Sequence, residues 1–249
     1  MKKLFTLLAL TISFSMNAQL TAVTEGGNTG QRLSTSNASN HGDIGSNAVD
    51  LSYSSGSSST RGATGGNAVA MGLGTTASGS YSTAMGYVTR ASENYSTAMG
   101  QSTTASGDTS TAMGYDTTAS GSYSTAMGYS TSASGTYAVA MGYKTQAIGY
   151  LSTAMGVRTI ASDFSSTVIG QYNSSGSSVT NSATIFSTSN TAFVIGNGTS
   201  GSLSDAFKVM FNGDTTVSND LTVSGDVVVS SDARLKSNIV SLGSTLPKL

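Results

Sequence analysis

Residues 121–134 read Gly-Ser-Tyr-Ser-Thr-Ala-Met-Gly-Tyr-Ser-Thr-Ser-Ala-Ser. The frame returns every 14 residues: Met71, Met85, Met99, Met113, Met127, Met141 and Met155 recur at that spacing, and Ile169 continues the series. Each is followed by Gly and, as far as Met155, by Thr at the fourth position (Thr75 to Thr159) and by Ala at the sixth (Ala77 to Ala161). A fixed period decides the architecture ahead of any local signal. Fourteen residues are too few for a helical hairpin or a leucine-rich repeat, and suit one solenoid coil of two short strands and two turns.

The phases assign the surfaces. In Ser82-Thr83-Ala84-Met85-Gly86, the alternation of a strand puts Ser, Ala and Gly on one face and Thr and Met on the other. In the second strand Thr89 and Ala91 share a face, while the positions beside them vary: Val88 and Arg90, then Asp116 and Thr118, then Lys144 and Gln146. Small constant residues suit a thin interior, and variable ones face water. The Gly residues of Met-Gly and Ala-Ser-Gly are expected to supply turns with positive φ. Eight coils stacked at the ~4.8 Å strand spacing make a rod about 40 Å long.

The Thr-Met face then carries a ladder of Met, flanked by Tyr81, Tyr95, Tyr123 and Tyr137 at one end of the strand and by Tyr87, Tyr115, Tyr129 and Tyr143 at the other. A continuous apolar stripe is unusual on a soluble monomer. Full burial of one Met is worth roughly 1.5–3 kcal/mol, so seven give on the order of 10–20 kcal/mol as an upper bound, against roughly 4–15 kcal/mol for association. Met71, Met85, Met99, Met113, Met127, Met141, Met155 and Ile169 are therefore expected to form the interface of an oligomer with cyclic symmetry. The opposite roll, with Met inside, fits less well, because Ala and Ser are the residues small enough for a thin coil.

Composition narrows the function. Gly, Ser and Thr make up 112 of 249 residues, charged residues are 9%, and the formal net charge is −1. That balance excludes a basic nucleic-acid binder. With no Cys there is no disulfide framework and no thiolate metal site. The one His, His41, argues against a His-rich zinc site or a Ser-His-Asp triad, and its Ser/Asn/Gly-rich surroundings predict an exposed side chain. No cofactor or metal is expected. At the N-terminus, Lys2 and Lys3 precede an apolar run from Leu4 to Phe14 and then Ser-Met-Asn-Ala-Gln. These are the charged, apolar and cleavage regions of a secretory signal over residues 1–18, too short to span a bilayer.

The units Asn67-Ala68-Val69-Ala70-Met71-Gly72 and Tyr137-Ala138-Val139-Ala140-Met141-Gly142 resemble the head repeats of YadA-like trimeric autotransporter adhesins. The resemblance covers roughly residues 47–170. It implies an all-β, left-handed parallel β-roll with three chains per trimer, displayed at the cell surface or outer membrane or secreted. Its partners would be matrix proteins, glycans or other cells. Asn47-Ala48-Val49-Asp50-Leu51 reads as an earlier coil set off by six extra residues, and Phe193-Val194-Ile195-Gly196 as a last coil after a 12-residue insertion. Neither heptads nor the ~10-residue alternating strands of a membrane barrel are seen toward the C-terminus, which sets the chain apart from that family's stalk and anchor.

Ser230-Ser231-Asp232-Ala233-Arg234-Leu235-Lys236 resembles instead the opening of the self-cleaving trimerisation chaperone of phage tail spikes and endosialidases. That resemblance implies a Ser231 nucleophile with Lys236 as its base. Only 13 residues follow Lys236, so no self-cleavage by this chain is expected and it reads as a non-enzyme. The expected organisation is a signal over 1–18, a flexible segment over 19–46, the β-roll over 47–200, a β-rich connector over 201–230 and the chaperone-like motif over 231–249. Within the connector, Lys208–Phe211, Asn212-Gly213 and Thr215–Val217 predict a hairpin, and Leu221–Val223 and Asp226–Val229 further strands.

The spread Asp residues of the connector read as solvated turn residues. Arg90, Glu93, Asp108, Asp116, Lys144, Arg158 and Asp163 have mixed signs and give no single-sign patch in the sequence. The function these features predict is attachment through a repetitive trimeric head. The alternative is a structural fibre of the tail-spike kind. An ice-binding solenoid would need a flat exposed Thr array, whereas Thr75 to Thr159 are read as inward.

Overall fold

The computed structural model describes residues 20–174 and 182–224. The expected signal at 1–18, the strand at Asp226–Val229 and the Ser231/Lys236 motif lie outside the described residues. Among these described residues, those up to Ser218 fall in one unit and those from Asn219 on in another.

The first unit is a parallel β-solenoid of about ten coils. Each regular coil holds a five-residue strand, such as Thr125–Tyr129, and a two-residue strand, such as Ser132–Ala133. Long strands stack in parallel and in register, so that Thr111, Thr125 and Val139 pair in one column and Met113, Met127 and Met141 in another. The short strands form a second parallel sheet of eight. Backbone bonds run from coil to coil, as in Thr125 N–H to Ala138 O (2.9 Å) and Ser130 N–H to Tyr115 O (2.8 Å). The irregular coils fall where the sequence predicts: Leu51 pairs with Met71 and Ile195 with Ile169.

The interior is thin. Among the described residues 18 of the 21 buried apolar side chains are Ala, so little side-chain volume separates the two sheets. Each coil points Ala126-type and Ser124-type residues inward from the long strand and Thr131-type and Ala133-type residues from the short one. Burial per coil is small, and stability rests on the continuous parallel ladders and the repetition of one unit. The hydroxyls of Thr75, Thr89, Thr103, Thr117, Thr131, Thr145 and Thr159 are buried without a hydrogen-bond partner. Their methyl groups fill the space between the sheets.

The glycines divide into two kinds, which corrects the expectation of one turn role. Gly114 of Met-Gly has φ +122° and packs under Gly128. Gly121 of Ala-Ser-Gly does not have positive φ; it is needed because a Cβ there would collide with the Gly135 carbonyl of the next coil. The left-handed turn conformation falls on non-glycine residues instead, including Tyr81, Tyr95, Tyr123 and Tyr137 at φ 56–59°. It costs roughly 1–2 kcal/mol per residue.

Both ends are covered. Leu20–Glu25 and Asn28–Leu33 form an antiparallel hairpin in the segment expected to be flexible. Its second strand lies parallel to Val49–Tyr53, pairing Gln31 with Val49 and Arg32 with Asp50. At the other end Thr191–Asn197 adds the last parallel strand, and Asp205–Met210 and Thr215–Val217 follow antiparallel, which gives the predicted hairpin. Leu221–Val223 is not a strand. Leu221 is 71% exposed. A parallel stack has two open edges that invite association with other chains; the hairpins occupy those edges.

Candidate interaction surface

The outer face of the long-strand sheet is built from one alternation. In Thr125-Ala126-Met127-Gly128-Tyr129, Ala126 is fully buried, Thr125 and Met127 are half-buried and Tyr129 is exposed. Register repeats this along the molecule, so Leu51, the seven Met residues, Ile169 and Ile195 form one continuous column. Met71 and Met155 are the most exposed, at 41% and 38%. The Met between them shield one another and are already half-buried in the single chain.

The tyrosines present more surface than the methionines. Nine of them are 41–60% exposed. Their rings stack along the axis: Tyr115 on Tyr129 (4.9 Å), Tyr129 on Tyr143 (5.1 Å), Tyr123 on Tyr137 (4.9 Å) and Tyr81 on Tyr95 (5.2 Å). These separations follow from the strand spacing of ~4.8 Å. Gln101 and Thr109 interrupt the two columns. By sequence these rings flank the Met ladder. The signal for their weight was the number of aromatic atoms per column.

A second cluster sits inside the N-terminal end. His41 is 6% exposed, not the solvated side chain its neighbours in sequence suggest, because Gly42 is hydrogen-bonded to the Arg61 carbonyl and the segment is drawn under the first coils. His41 Nδ1 lies 3.1 Å from Asp50 Oδ2. Ser52 Oγ donates to Asp50 Oδ1 (2.6 Å), and Arg32 Nε donates to Asp50 Oδ2 (3.3 Å). Arg32 also donates to Glu25 Oε1 (2.7 Å) and to the Gly42 carbonyl (2.9 Å). Burial opposes ionisation of Asp50, but the hydrogen bonds from His41 and Ser52 outweigh it and hold the carboxyl below the ordinary carboxylate range. Ser, His and Asp meet here, yet Ser52 donates to the carboxylate and Ser52 and Asp50 are buried. The cluster ties the N-terminal hairpin to the first coil.

Stacking also sorts the charges. Asp163 is buried and accepts the Thr191 N–H (2.8 Å), so it is not a surface charge. Lys144 and Arg158 occupy one column on successive coils.

Comparison with known families places the repeat. Residues 63–88, 91–117, 119–145 and 147–173 match the YadA head domain repeat (2 copies). The chain carries YadA head repeats. Each matched stretch spans two coils, and together they run through the regular part of the solenoid. No curated protein matches the chain.

Proposed function

We propose that this chain is the head of a surface-displayed or secreted trimeric fibre that attaches to matrix, glycan or cells, with Leu51, the Met column, Ile169 and the tyrosines beside them covered by neighbouring chains. The observation that carries the reading is the unbroken outward column of Met between exposed Tyr stacks, on coils that match YadA head repeats. A buried Tyr covers about 150–250 Å², so the exposed half of nine tyrosines amounts to roughly 900 Å², against the ~800 Å² per partner of an ordinary stable interface. The tyrosines at φ 56–59° support the same conclusion. That conformation favours Gly or Asn, yet four coils place a tyrosine ring there, standing on the surface.

Each copy shows the same stripe, so closure is cyclic and heterologous. Three heads on one fibre repeat every weak contact threefold, and attachment gains by effective concentration. The chain acts by display.

The reading is tested by beads bearing the protein, held under flow on surfaces coated with matrix protein, polysaccharide or cells. Beads with the unaltered chain should be retained on at least one coating. Beads with Met113→Glu and Met127→Glu, which place charges on the column, should be washed off several-fold faster. Equal loss of both from every coating contradicts it.

A further inference from the structure

Lys144 and Arg158 stand at equivalent positions of neighbouring coils. Lys144 N–H bonds the Tyr129 carbonyl (2.8 Å) and Arg158 N–H bonds the Tyr143 carbonyl (2.7 Å), so their backbones are one strand spacing apart. Like charges placed side by side on a sheet repel. Here no carboxylate relieves them: among the described residues the ion pairs involve only Arg32 and His41. Asp116, in the same column, is two coils away from Lys144 and accepts from Ser130 Oγ (3.0 Å). Both cations lie over tyrosine rings instead, Lys144 5.4 Å from the centre of Tyr143 and Arg158 5.8 Å from that of Tyr172. Both are in the left-handed conformation, at φ 53° and 51°, at a position where two other coils use Ser102 and Ser130.

These two side chains line a cleft of about 420 Å³ where the last regular coils meet the loop after Thr191–Asn197. Gln146, Ser130 and Ser200 supply neutral donors and acceptors, and Tyr172 and Leu203 supply apolar surface. Asn173 closes one end: its side chain accepts from Ile160 N–H (2.8 Å) and donates to Ile160 O (3.1 Å), taking the place of a next strand. The volume is that of a small-ligand site. Paired cations ask for an anion, hydroxyl and amide groups for a polyol, and ring faces for the C–H surface of a sugar.

We propose that this cleft binds the acidic groups, carboxylate or sulfate, of an acidic polysaccharide. This names a ligand class for the attachment head described above and rests on that reading for its setting. Two cations on a chain of net charge −1 do not make the phosphate-tracking surface that nucleic acid requires. The neutral polar side chains of the lining, Ser130, Gln146, Asn173 and Ser200, favour a sugar over a peptide carboxylate.

The test measures binding of the purified full chain to immobilised polyuronate, heparin, dextran and polyglutamate. Three proteins are compared: the unaltered chain, Lys144→Ser with Arg158→Ser, and Arg90→Gln as a control cation elsewhere. Ser is already accepted in this column, and matching melting curves confirm the fold. The proposal expects binding to polyuronate, heparin or both, at least tenfold weaker in the double variant, unchanged in Arg90→Gln and absent with dextran. Polyuronate binding without heparin binding assigns carboxylate, and the reverse assigns sulfate. Absence of binding to both acidic polysaccharides, equal binding by the double variant, or binding confined to polyglutamate would overturn it. Light scattering on the same samples reports chain number, so failure of the cleft and failure of the trimeric head are read separately.

Discussion

Thr117 shows what a coil of this kind tolerates. Its hydroxyl is buried with no partner in an interior whose apolar residues are almost all alanine. An unmet buried hydroxyl costs about 1–3 kcal/mol in lost hydration, so an apolar group of similar shape is the better occupant. Thr117→Val is expected to raise stability by about 1 kcal/mol, read as the denaturant midpoint at unchanged slope; a loss of that size would mean that the hydroxyl is partnered. Asp50 is the opposite case. Its carboxyl sits below the ordinary range because His41 and Ser52 hydrogen-bond its charged form. A depressed carboxylate contributes stability that is present above the unfolded value of about 3.9 and is lost as pH falls through the folded value. Hydrogen exchange of Leu20–Leu33 amides should therefore accelerate relative to the rest below about pH 4, and Asp50→Asn should remove that step. A hairpin as protected at pH 2.5 as at pH 6 would contradict the assignment. The pattern of Thr, Ala and Met was legible one residue at a time because the period fixed the phase. His41 and Asp50 were not, because their meeting depends on a chain reversal that no repeat announces.

At the scale of the strand, stacking distance is the controlling quantity. Gly121 has no room for a Cβ against the Gly135 carbonyl, so Gly121→Ala must separate two coils or bend the backbone between them. Overpacking of this kind costs about 1–3 kcal/mol. Because coils contact only their neighbours, the loss should be local: faster exchange over the coils from 107 to 149, with the hairpin Leu20–Leu33 unchanged. Uniform destabilisation of the whole solenoid would show instead that the coils fold as one cooperative body. The coil was readable from spacing alone, down to the irregular members that pair Leu51 with Met71 and Ile169 with Ile195. The ends were less so. The Leu20–Leu33 hairpin carries no repeat, and its Gly26-Gly27 turn is a weak signal among many glycines. The 14-residue period already makes Lys144 and Arg158 neighbours; what the sequence does not show is the cleft they line, because the loop that closes it, with Ser200 and Leu203, lies outside the repeat.

At the scale of the whole molecule the Met column and the Tyr stacks give the solenoid an apolar side and a polar one. Sequence alone gave the side its Met ladder; the structure shifts its weight to the tyrosines, since neighbouring Met already shield one another. Tyr115→Ser with Tyr129→Ser and Tyr143→Ser should therefore weaken association more than Met113→Ala with Met127→Ala, seen as a higher concentration for half-dissociation. The measurement that bears most directly on the account is the solution mass of residues 19–249 by light scattering after size exclusion. A single species near three chains is the predicted result; the full 249-residue chain is 25.0 kDa. A folded, monodisperse monomer would contradict it and leave the Met and Tyr columns as solvent-facing surface.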